Sequence, residues 1–294
     1  MAADFSSNRA DGSGVAVDTH AHVFTRGLAL AAARRYAPEY DATVDDYLAM
    51  LDGNLMSHGV LVQPSFLGTD NAYLVEALRA APSRLRGIAV VEPDARAGHL
   101  LALQSVGVVG IRLNLIGRPD PDFGGAVLRR HLADVAALGW QVEVQAEARR
   151  LPAVLDGLLP FGMPVVVDHF GRPDPNLALT DPGFRHLLAT ADTGRIWVKL
   201  SASYRAFPGP DSAGLAVDAA GLLRQAFGPH RLLWGSDWPH TQFETRADPR
   251  TARRGLDAWL PDPNDRRIVL AEAPARLFGF PYTQPAHLNQ GSLS

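Results

Sequence analysis

The stretch VDTHAHVF, residues 17–24, decides between the two folds that a chain of alternating strands and helices can adopt. A doubly wound sheet that binds a nucleotide carries a glycine-rich turn directly after its first strand. Here the run of residues 15–18 is followed by Thr-His-Ala-His instead, with His20 and His22 one residue apart. This favours a closed barrel of parallel strands, in which chemically active side chains commonly follow a strand.

Further β-rich runs follow the first at intervals of about 30 residues, the usual length of a strand–helix unit. They are GVLVQP (59–64), LRGIAVV (85–91), VVGIRLN (108–114), WQVEVQA (140–146), PVVVDH (164–169), IWVKLS (196–201) and RLLWGSD (231–237). Stretches with helical periodicity lie between them. The 294 residues therefore predict a single (β/α)8 TIM barrel with its active site at the C-terminal ends of the strands.

The helical stretches show apolar residues on one face. Leucine and alanine recur at helical spacing in residues 69–81, where Thr69 or Asp70 is the expected N-cap. A second such pattern runs over residues 264–280 and is expected to be interrupted by Pro274, because proline cannot continue the helical hydrogen-bond pattern. Both stretches fit helices packed on the outside of a barrel.

The composition excludes several classes of function. Hydrophobic residues make up 47% of the chain and charged residues 20%, with a formal net charge of −3. A large core is therefore available, and the lack of a basic excess predicts neither a nucleic acid partner nor an anionic membrane partner. Cysteine is absent, which excludes disulfides, thiolate metal ligands and a cysteine nucleophile.

The ends of the chain differ from its middle. Residues 1–14 and 283–294 are polar and lack periodicity, so we expect two tails around one barrel of residues 15–282. No apolar run approaches the length of a membrane span, and the first residues lack the apolar core of a signal peptide. We therefore expect a cytoplasmic protein that is monomeric or homodimeric.

Polar side chains cluster where the predicted strands end. Each alone has a structural explanation, such as a cap or an ion pair, but their convergence on one face from six strands indicates a site. The residues expected at this face are His20, His22, Ser65, Arg112, Arg118, Gln145, His169, Tyr204, Arg205, Asp237 and His240. The histidines expected elsewhere are His58, His99, His131, His186, His230 and His287.

Several segments at these strand ends resemble a known family. They are DTHAHVF (18–24), QPSFLGTDN (63–71), RGIAVVEPD (86–94), VGIRLNLIGRP (109–119), VVDHFGRPD (166–174), IWVKLSASYR (196–205) and LLWGSDWPHTQFE (232–244). Together they resemble the amidohydrolase superfamily, and within it the branch of 2-pyrone-4,6-dicarboxylate hydrolases and related lactonases. The resemblance spans residues 15–280, which is nearly the whole predicted barrel.

The resemblance implies an enzyme that hydrolyses the ester bond of a small anionic lactone. Asp237 would be the general base that deprotonates the attacking water and then returns the proton to the leaving oxygen. The lactone carbonyl would be surrounded by His20, His22 and His169. The substrate would be held by Arg112, Arg118 and Arg205 at its carboxylates, with Ser65, Gln145, Tyr204 and His240 completing the binding set.

The chemistry of lactone hydrolysis is consistent with this set. The reaction needs a base, donors for the developing oxyanion, for which a protonated imidazole is suited, and a grip on the substrate. Guanidinium groups pair with carboxylates through two hydrogen bonds, so the arginines favour an anionic substrate. Gln145 departs from the pyrone-dicarboxylate hydrolases, which have tyrosine there, whereas sugar-lactone relatives have glutamine. The lactone therefore stays open between a pyrone dicarboxylate, a sugar acid lactone and a sulfonated muconolactone.

His20, His22 and Asp237 also form a set of candidate zinc ligands with a fourth position open for water. A binuclear amidohydrolase site would need lysine or glutamate where the fourth strand has Arg112. A mononuclear decarboxylase-type site would need histidine where the fifth strand has Gln145. We therefore expect no required cofactor, with one Zn2+ as the alternative. A zinc-dependent non-oxidative decarboxylase and a catalytically silent barrel that binds an anion also stay open.

Overall fold

The computed structural model describes residues 15–209 and 211–283, which form a barrel of eight parallel strands. The strands are β1 (Val17–Ala21), β2 (His58–Val62), β3 (Leu85–Ala89), β4 (Val108–Asn114), β5 (Gln141–Gln145), β6 (Val165–Val167), β7 (Ile196–Ser201) and β8 (Leu232–Gly235). Each strand pairs with the next along the chain. The predicted (β/α)8 barrel is confirmed. Apart from Thr283, the two predicted tails lie outside the described residues, as does His287.

Helices lie between the strands and cover the barrel. They are α1 (Val44–Gly53), α2 (Ala72–Ala80), α3 (Ala97–Gln104), α4 (Ala126–Ala137), α5 (Leu151–Leu158), α6 (Pro182–Ala189), α7 (Ser203–Ala206), α8 (Ser212–Phe227), α9 (Pro249–Trp259), α10 (Pro263–Arg267) and α11 (Ala273–Phe278). Among these described helices, none has the length and apolar character needed to span a bilayer.

Two helix boundaries differ in detail from the expectation. Asn71 is the N-cap residue of α2, one position after the predicted Asp70, although the Asp70 carboxylate still accepts a hydrogen bond from the Ala72 N–H at 3.1 Å. The predicted interruption at Pro274 is confirmed, because a π-helical turn over Ile268–Glu272 separates α10 from α11. Proline lacks the N–H that an α-helix needs at this point, and a widened turn accommodates its ring.

The first strand is longer than predicted and contains a bulge. We expected it to end at Asp18, which is wrong, since β1 runs to Ala21 and its register with β2 shifts between Asp18 and Ala21. Val17 packs with the apolar residues inside the barrel, whereas Ala21 packs against the helices outside. A bulge changes which side chains face inward, and here the inward pair becomes His20 and His22.

The barrel closes where β8 meets β1. The Asp237 N–H donates to the His20 carbonyl at 2.8 Å, and the His22 N–H donates to the Trp238 carbonyl at 2.8 Å. Asp18 strengthens this junction, because its carboxylate accepts from both the N–H and the hydroxyl of Ser236, at 2.8 and 2.6 Å. Burial raises the pKa of Asp18 to about 6. The first and last strands are therefore joined directly beside the predicted site.

Two strands end earlier in the structure than the sequence predicted. β6 ends at Val167 and β8 at Gly235, so His169 and Asp237 lie in the turns that follow. Their φ angles are 53° and 61°, in the left-handed region that residues other than glycine rarely adopt. Such strain is maintained only where the surrounding structure fixes it, and it concentrates at functional sites. His240, with a φ of 64°, is a third residue of the predicted site in this region.

Candidate active site

A cavity of about 310 Å³ opens at the C-terminal ends of the strands. Most of the residues expected at this face line it, namely His22, Ser65, Arg112, Gln145, His169, Tyr204, Arg205 and Asp237. His20 and His240 are buried beside the lining, with the His240 Nδ1 3.0 Å from the Tyr204 hydroxyl. Arg118 lies on an exposed loop outside the lining. The cavity therefore contains eight of the eleven residues expected from the sequence.

The cavity also contains residues outside the predicted set. Arg35 and Tyr36 reach it from the long loop between β1 and α1, and Arg172 reaches it from the turn after β6. Neither arginine has an ion pair with an acidic side chain among the described residues. Burial first, and then the like charge of neighbouring guanidinium groups, lowers the pKa of Arg35 and of Arg172. Two of the arginines that line the cavity, Arg35 and Arg172, are thus not in direct ion pairs with acidic side chains.

Asp237 has one occupied and one free carboxylate oxygen. Its Oδ2 accepts from the Tyr204 hydroxyl at 2.5 Å and from the Arg205 Nε at 2.7 Å. No hydrogen bond from the described residues reaches its Oδ1, which lies 3.8 Å from the Nε2 atoms of both His20 and His22. Burial alone would raise the pKa of Asp237, but the Arg205 guanidinium and the neighbouring histidines together outweigh it and hold that pKa well below its usual range. Asp237 is therefore an ionised carboxylate with one oxygen available.

The three histidines of the site are neutral at neutral pH. Burial lowers the pKa of His22 to about 4 and that of His20 to about 3, and it holds the pKa of His169 well below its usual value. The His22 Nδ1 lies 2.7 Å from the Val62 carbonyl, which can only accept, so His22 carries its proton on Nδ1. Its Nε2 therefore has a free lone pair. Protonated imidazoles, which the sequence suggested as oxyanion donors, are disfavoured by this burial.

A buried charge network lies directly beneath the cavity. Arg112 donates to Oδ2 of Asp168 from Nε and Nη2, at 3.2 and 2.9 Å. Lys199 contacts Oε1 of Glu143 at 2.7 Å and Oδ1 of Asp168 at 3.5 Å. Burial raises the pKa of Glu143 to about 7, although the Lys199 ammonium opposes that shift. Sequence reasoning missed Lys199, and its available signal was that it is the only lysine in the chain.

Two groups of side chains have donor atoms close enough to hold a metal ion. They are His20, His22 and Asp237, and His20, Asp168 and His169. In each group the oxygen or nitrogen atoms lie within 4.8 Å of one another. Two fixed positive charges would repel a divalent metal ion here. Lys199 lies 3.1 Å from the His20 Nδ1, and Arg205 already donates a hydrogen bond to Oδ2 of Asp237. The donor set therefore fits a metal poorly.

Comparisons with known proteins agree with this geometry. The 2-pyrone-4,6-dicarboxylate hydrolase of Comamonas testosteroni is 32% identical over 240 residues, 78% of each chain. The 4-sulfomuconolactone hydrolase of Rhizobium radiobacter is 30% identical over 89% of each chain. A probable 2-pyrone-4,6-dicarboxylic acid hydrolase from Acinetobacter baumannii, solved with citric acid bound, gives a TM-score of 0.88 at 38% identity. The match covers 90% of this chain and 99% of that one.

A family model described as Amidohydrolase matches residues 17–280, from the first residue of β1 to two residues beyond α11. The match therefore includes every strand of the barrel and all the residues that line the cavity. It confirms the resemblance seen in the strand-end motifs. The chain belongs to the amidohydrolase family.

Proposed function

We propose that this chain hydrolyses the ring ester of a small dianionic lactone and requires no metal ion. One observation carries the proposal. An ionised carboxylate with a free oxygen, Asp237, shares a cavity with two arginines that lack acidic partners, Arg35 and Arg172. Uncompensated guanidinium groups favour an anionic ligand, and a free carboxylate oxygen can take a proton from water.

The attacking water binds between two acceptors in this proposal. It donates one hydrogen bond to Oδ1 of Asp237 and the other to the lone pair on Nε2 of His22, two atoms that lie 3.8 Å apart. Its oxygen then has a lone pair directed away from both acceptors, towards the lactone carbonyl. Asp237 takes the proton as the C–O bond forms. The same proton passes to the ring oxygen when the ester C–O bond breaks, which regenerates the carboxylate.

The developing oxyanion faces neutral and cationic donors rather than imidazolium groups. Arg112 lines the cavity, and Asp168 holds its guanidinium in place, so its remaining N–H groups are fixed donors in a buried site. Preorganised donors of this kind stabilise the charge that develops in the transition state. His169 has its Nδ1 2.8 Å from the Ser201 hydroxyl, which holds the ring beside the reacting atoms.

The relatives indicate the chemical class of the substrate. The names of the Comamonas and Rhizobium proteins describe lactones that bear carboxylate or sulfonate groups, and the Acinetobacter protein binds citric acid, a tricarboxylate. Carboxylates and sulfonates both offer several oxygens to guanidinium groups. Gln145, buried at the end of β5, lines the cavity and contacts whichever ring substituent lies on that side. We therefore propose a lactone that carries two such anionic groups.

The test is hydrolysis of 2-pyrone-4,6-dicarboxylate and of 4-sulfomuconolactone, followed by ultraviolet absorbance with and without a strong chelator. Turnover of either substrate that survives the chelator, and that is lost in Asp237→Asn, supports the proposal. Turnover that the chelator abolishes and Zn2+ restores contradicts the metal-independent mechanism. Tight binding of both lactones without turnover would identify an anion-binding barrel instead.

A further inference from the structure

Lys199 occupies an unusual position for a lysine. The chain has 28 lysine and arginine residues, and Lys199 is the only lysine among them. Its side chain is fully buried inside the barrel, on the fourth residue of β7. A lysine is almost never buried without a specific partner, because removing an ammonium from water is costly. In a chain that otherwise uses arginine, this position requires a property that arginine lacks.

The Lys199 ammonium lies between three acceptors. Its Nζ is 2.7 Å from Oε1 of Glu143, 3.1 Å from Nδ1 of His20 and 3.5 Å from Oδ1 of Asp168. An ammonium has three donors and no acceptor. The shared contact with His20 therefore requires that Nδ1 accept, and a neutral His20 must then carry its proton on Nε2.

The same distances disfavour the other tautomer of His20. If His20 carried its proton on Nδ1, that proton would go to Oδ1 of Asp168, which is 3.4 Å away. That contact is 0.3 Å longer than the 3.1 Å contact from Lys199 to Nδ1, and Lys199 itself lies 3.5 Å from Oδ1 of Asp168. Oδ2 of the same carboxylate is already bound by Arg112. The hydrogen bond from Lys199 is therefore the better-formed interaction at Nδ1 of His20.

We propose that Lys199 is a positioning residue that fixes His20 in the Nε2–H tautomer. His22 has the opposite tautomer, because its Nδ1 donates to the Val62 carbonyl. Oδ1 of Asp237 thus faces a donor on His20 and lies beside an acceptor on His22, each 3.8 Å away. With its proton on Nε2, His20 has no lone pair there that could compete for a proton of the attacking water. This consequence for the reaction rests on the hydrolytic function proposed above.

The shape of the side chain explains why lysine is required. A single nitrogen at the end of a flexible stem can meet three acceptors that converge on one point, whereas a guanidinium spreads its donors over a rigid plane. The three acceptor residues are each at most 1% exposed, so no space is left around the ammonium. They are Glu143, His20 and Asp168. An arginine at position 199 would have to displace at least one of them.

The first experiment needs no substrate. Selective 15N labelling of histidine and two-bond 15N–1H correlation spectra distinguish the two tautomers, and His20→Asn identifies the His20 signals by their loss. We expect wild-type His20 to show a bare Nδ1 and a protonated Nε2, with the reverse pattern for His22. A protonated Nδ1 on His20 in the wild-type protein would overturn the proposal.

The second experiment removes the donor. Lys199→Met keeps the length of the side chain, and the double variant Lys199→Met/Glu143→Gln also removes the carboxylate that would otherwise be buried without its partner. In either folded variant we expect His20 to move its proton to Nδ1, and kcat to fall about 10- to 100-fold with little change in KM. An unchanged tautomer would contradict the proposal. If the wild-type tautomer is as expected but no lactone is hydrolysed, only the proposed function fails.

Discussion

The Arg205 Nε donates to Oδ2 of Asp237 at 2.7 Å, so the proposed base is held in an ion pair with a residue that also lines the cavity. This pairing keeps the pKa of Asp237 low and makes it a weak base when no ligand is bound. An anionic substrate that draws Arg205 towards itself will weaken the pairing and raise that pKa. The strength of the base is therefore coupled to the presence of an anion.

This coupling predicts that the anionic groups of the substrate affect the chemical step. Replacing one carboxylate of the lactone with its methyl ester should lower kcat as well as raise KM, because Arg205 then stays on Asp237. Steady-state kinetics on the acid and on the ester measure both constants. A change in KM alone would show that Arg205 only binds the substrate.

Removing the proposed base should abolish turnover while leaving the fold intact. We expect Asp237→Asn to lower kcat by about 100- to 10,000-fold, the usual contribution of general base catalysis. Tyr204→Phe is the matched control, because it removes one hydrogen bond to Oδ2 and leaves the carboxylate in place. Its kcat should fall by no more than about tenfold, the value of a single hydrogen bond. Equal losses in the two variants would argue against Asp237 as the base.

The two unpaired arginines that line the cavity should bind the substrate, and Arg118, which lies outside the lining, should not. We expect Arg35→Gln and Arg172→Gln each to raise KM by about 10- to 100-fold, which corresponds to the loss of a charge-assisted hydrogen bond. Arg118→Gln changes the same charge on an exposed loop outside the cavity lining, so its KM should stay close to that of the wild type. A large effect at Arg118 would mean that this arginine reaches the bound substrate, as the family resemblance implied.

Stability should fall as the pH is lowered through the range in which an unfolded histidine takes up a proton. The pKa of His22 is about 4 in the folded protein against 6.5 in the unfolded chain, so only the unfolded state binds this proton between those values. The contribution of His22 to the free energy of unfolding is therefore fully present above pH 6.5 and is lost as the pH falls towards 4. Between pH 7 and pH 5 the contribution is about 2 kcal/mol.

His22→Gln isolates this contribution from those of other groups. The raised pKa values of Asp18 and Glu143 act in the opposite sense, since their protonated forms are favoured in the folded state. Urea unfolding of the wild type and the variant at both pH values gives the difference directly. The wild type should lose about 2 kcal/mol more than the variant on acidification. An equal loss in both would mean that His22 does not titrate in this way.

Local patterns in the sequence were sufficient to predict the barrel. Each strand is an apolar run of a few residues, and the repeat of strand and helix depends only on neighbours along the chain. The same runs bring His22, His169 and Asp237 to one end, because parallel strands all finish at the same rim. For these residues, position within a strand–helix unit determines position in space.

Other features depend on contacts between distant segments, which local patterns do not reveal. Arg35 lies in a long loop without periodicity, so nothing in its neighbourhood indicates that it reaches the cavity. The bulge in β1 follows from pairing with β2 and β8, and it moves the end of the strand from Asp18 to Ala21. The role of Lys199 depends on its contacts with side chains on β1, on β5 and in the turn after β6, which are distant from it in the sequence. The only hint in the sequence was that no other lysine exists.

The junction of β1 and β8 makes the proposed activity a measure of complete folding. His20 and Asp237 come from opposite ends of the chain and share a backbone hydrogen bond at this seam. A chain that has formed its first seven strands holds every arginine of the cavity but has neither the base nor a closed ring. During refolding, catalysis should therefore return only once this seam has closed. The rate at which enzyme activity returns would then measure how fast β1 and β8 come together.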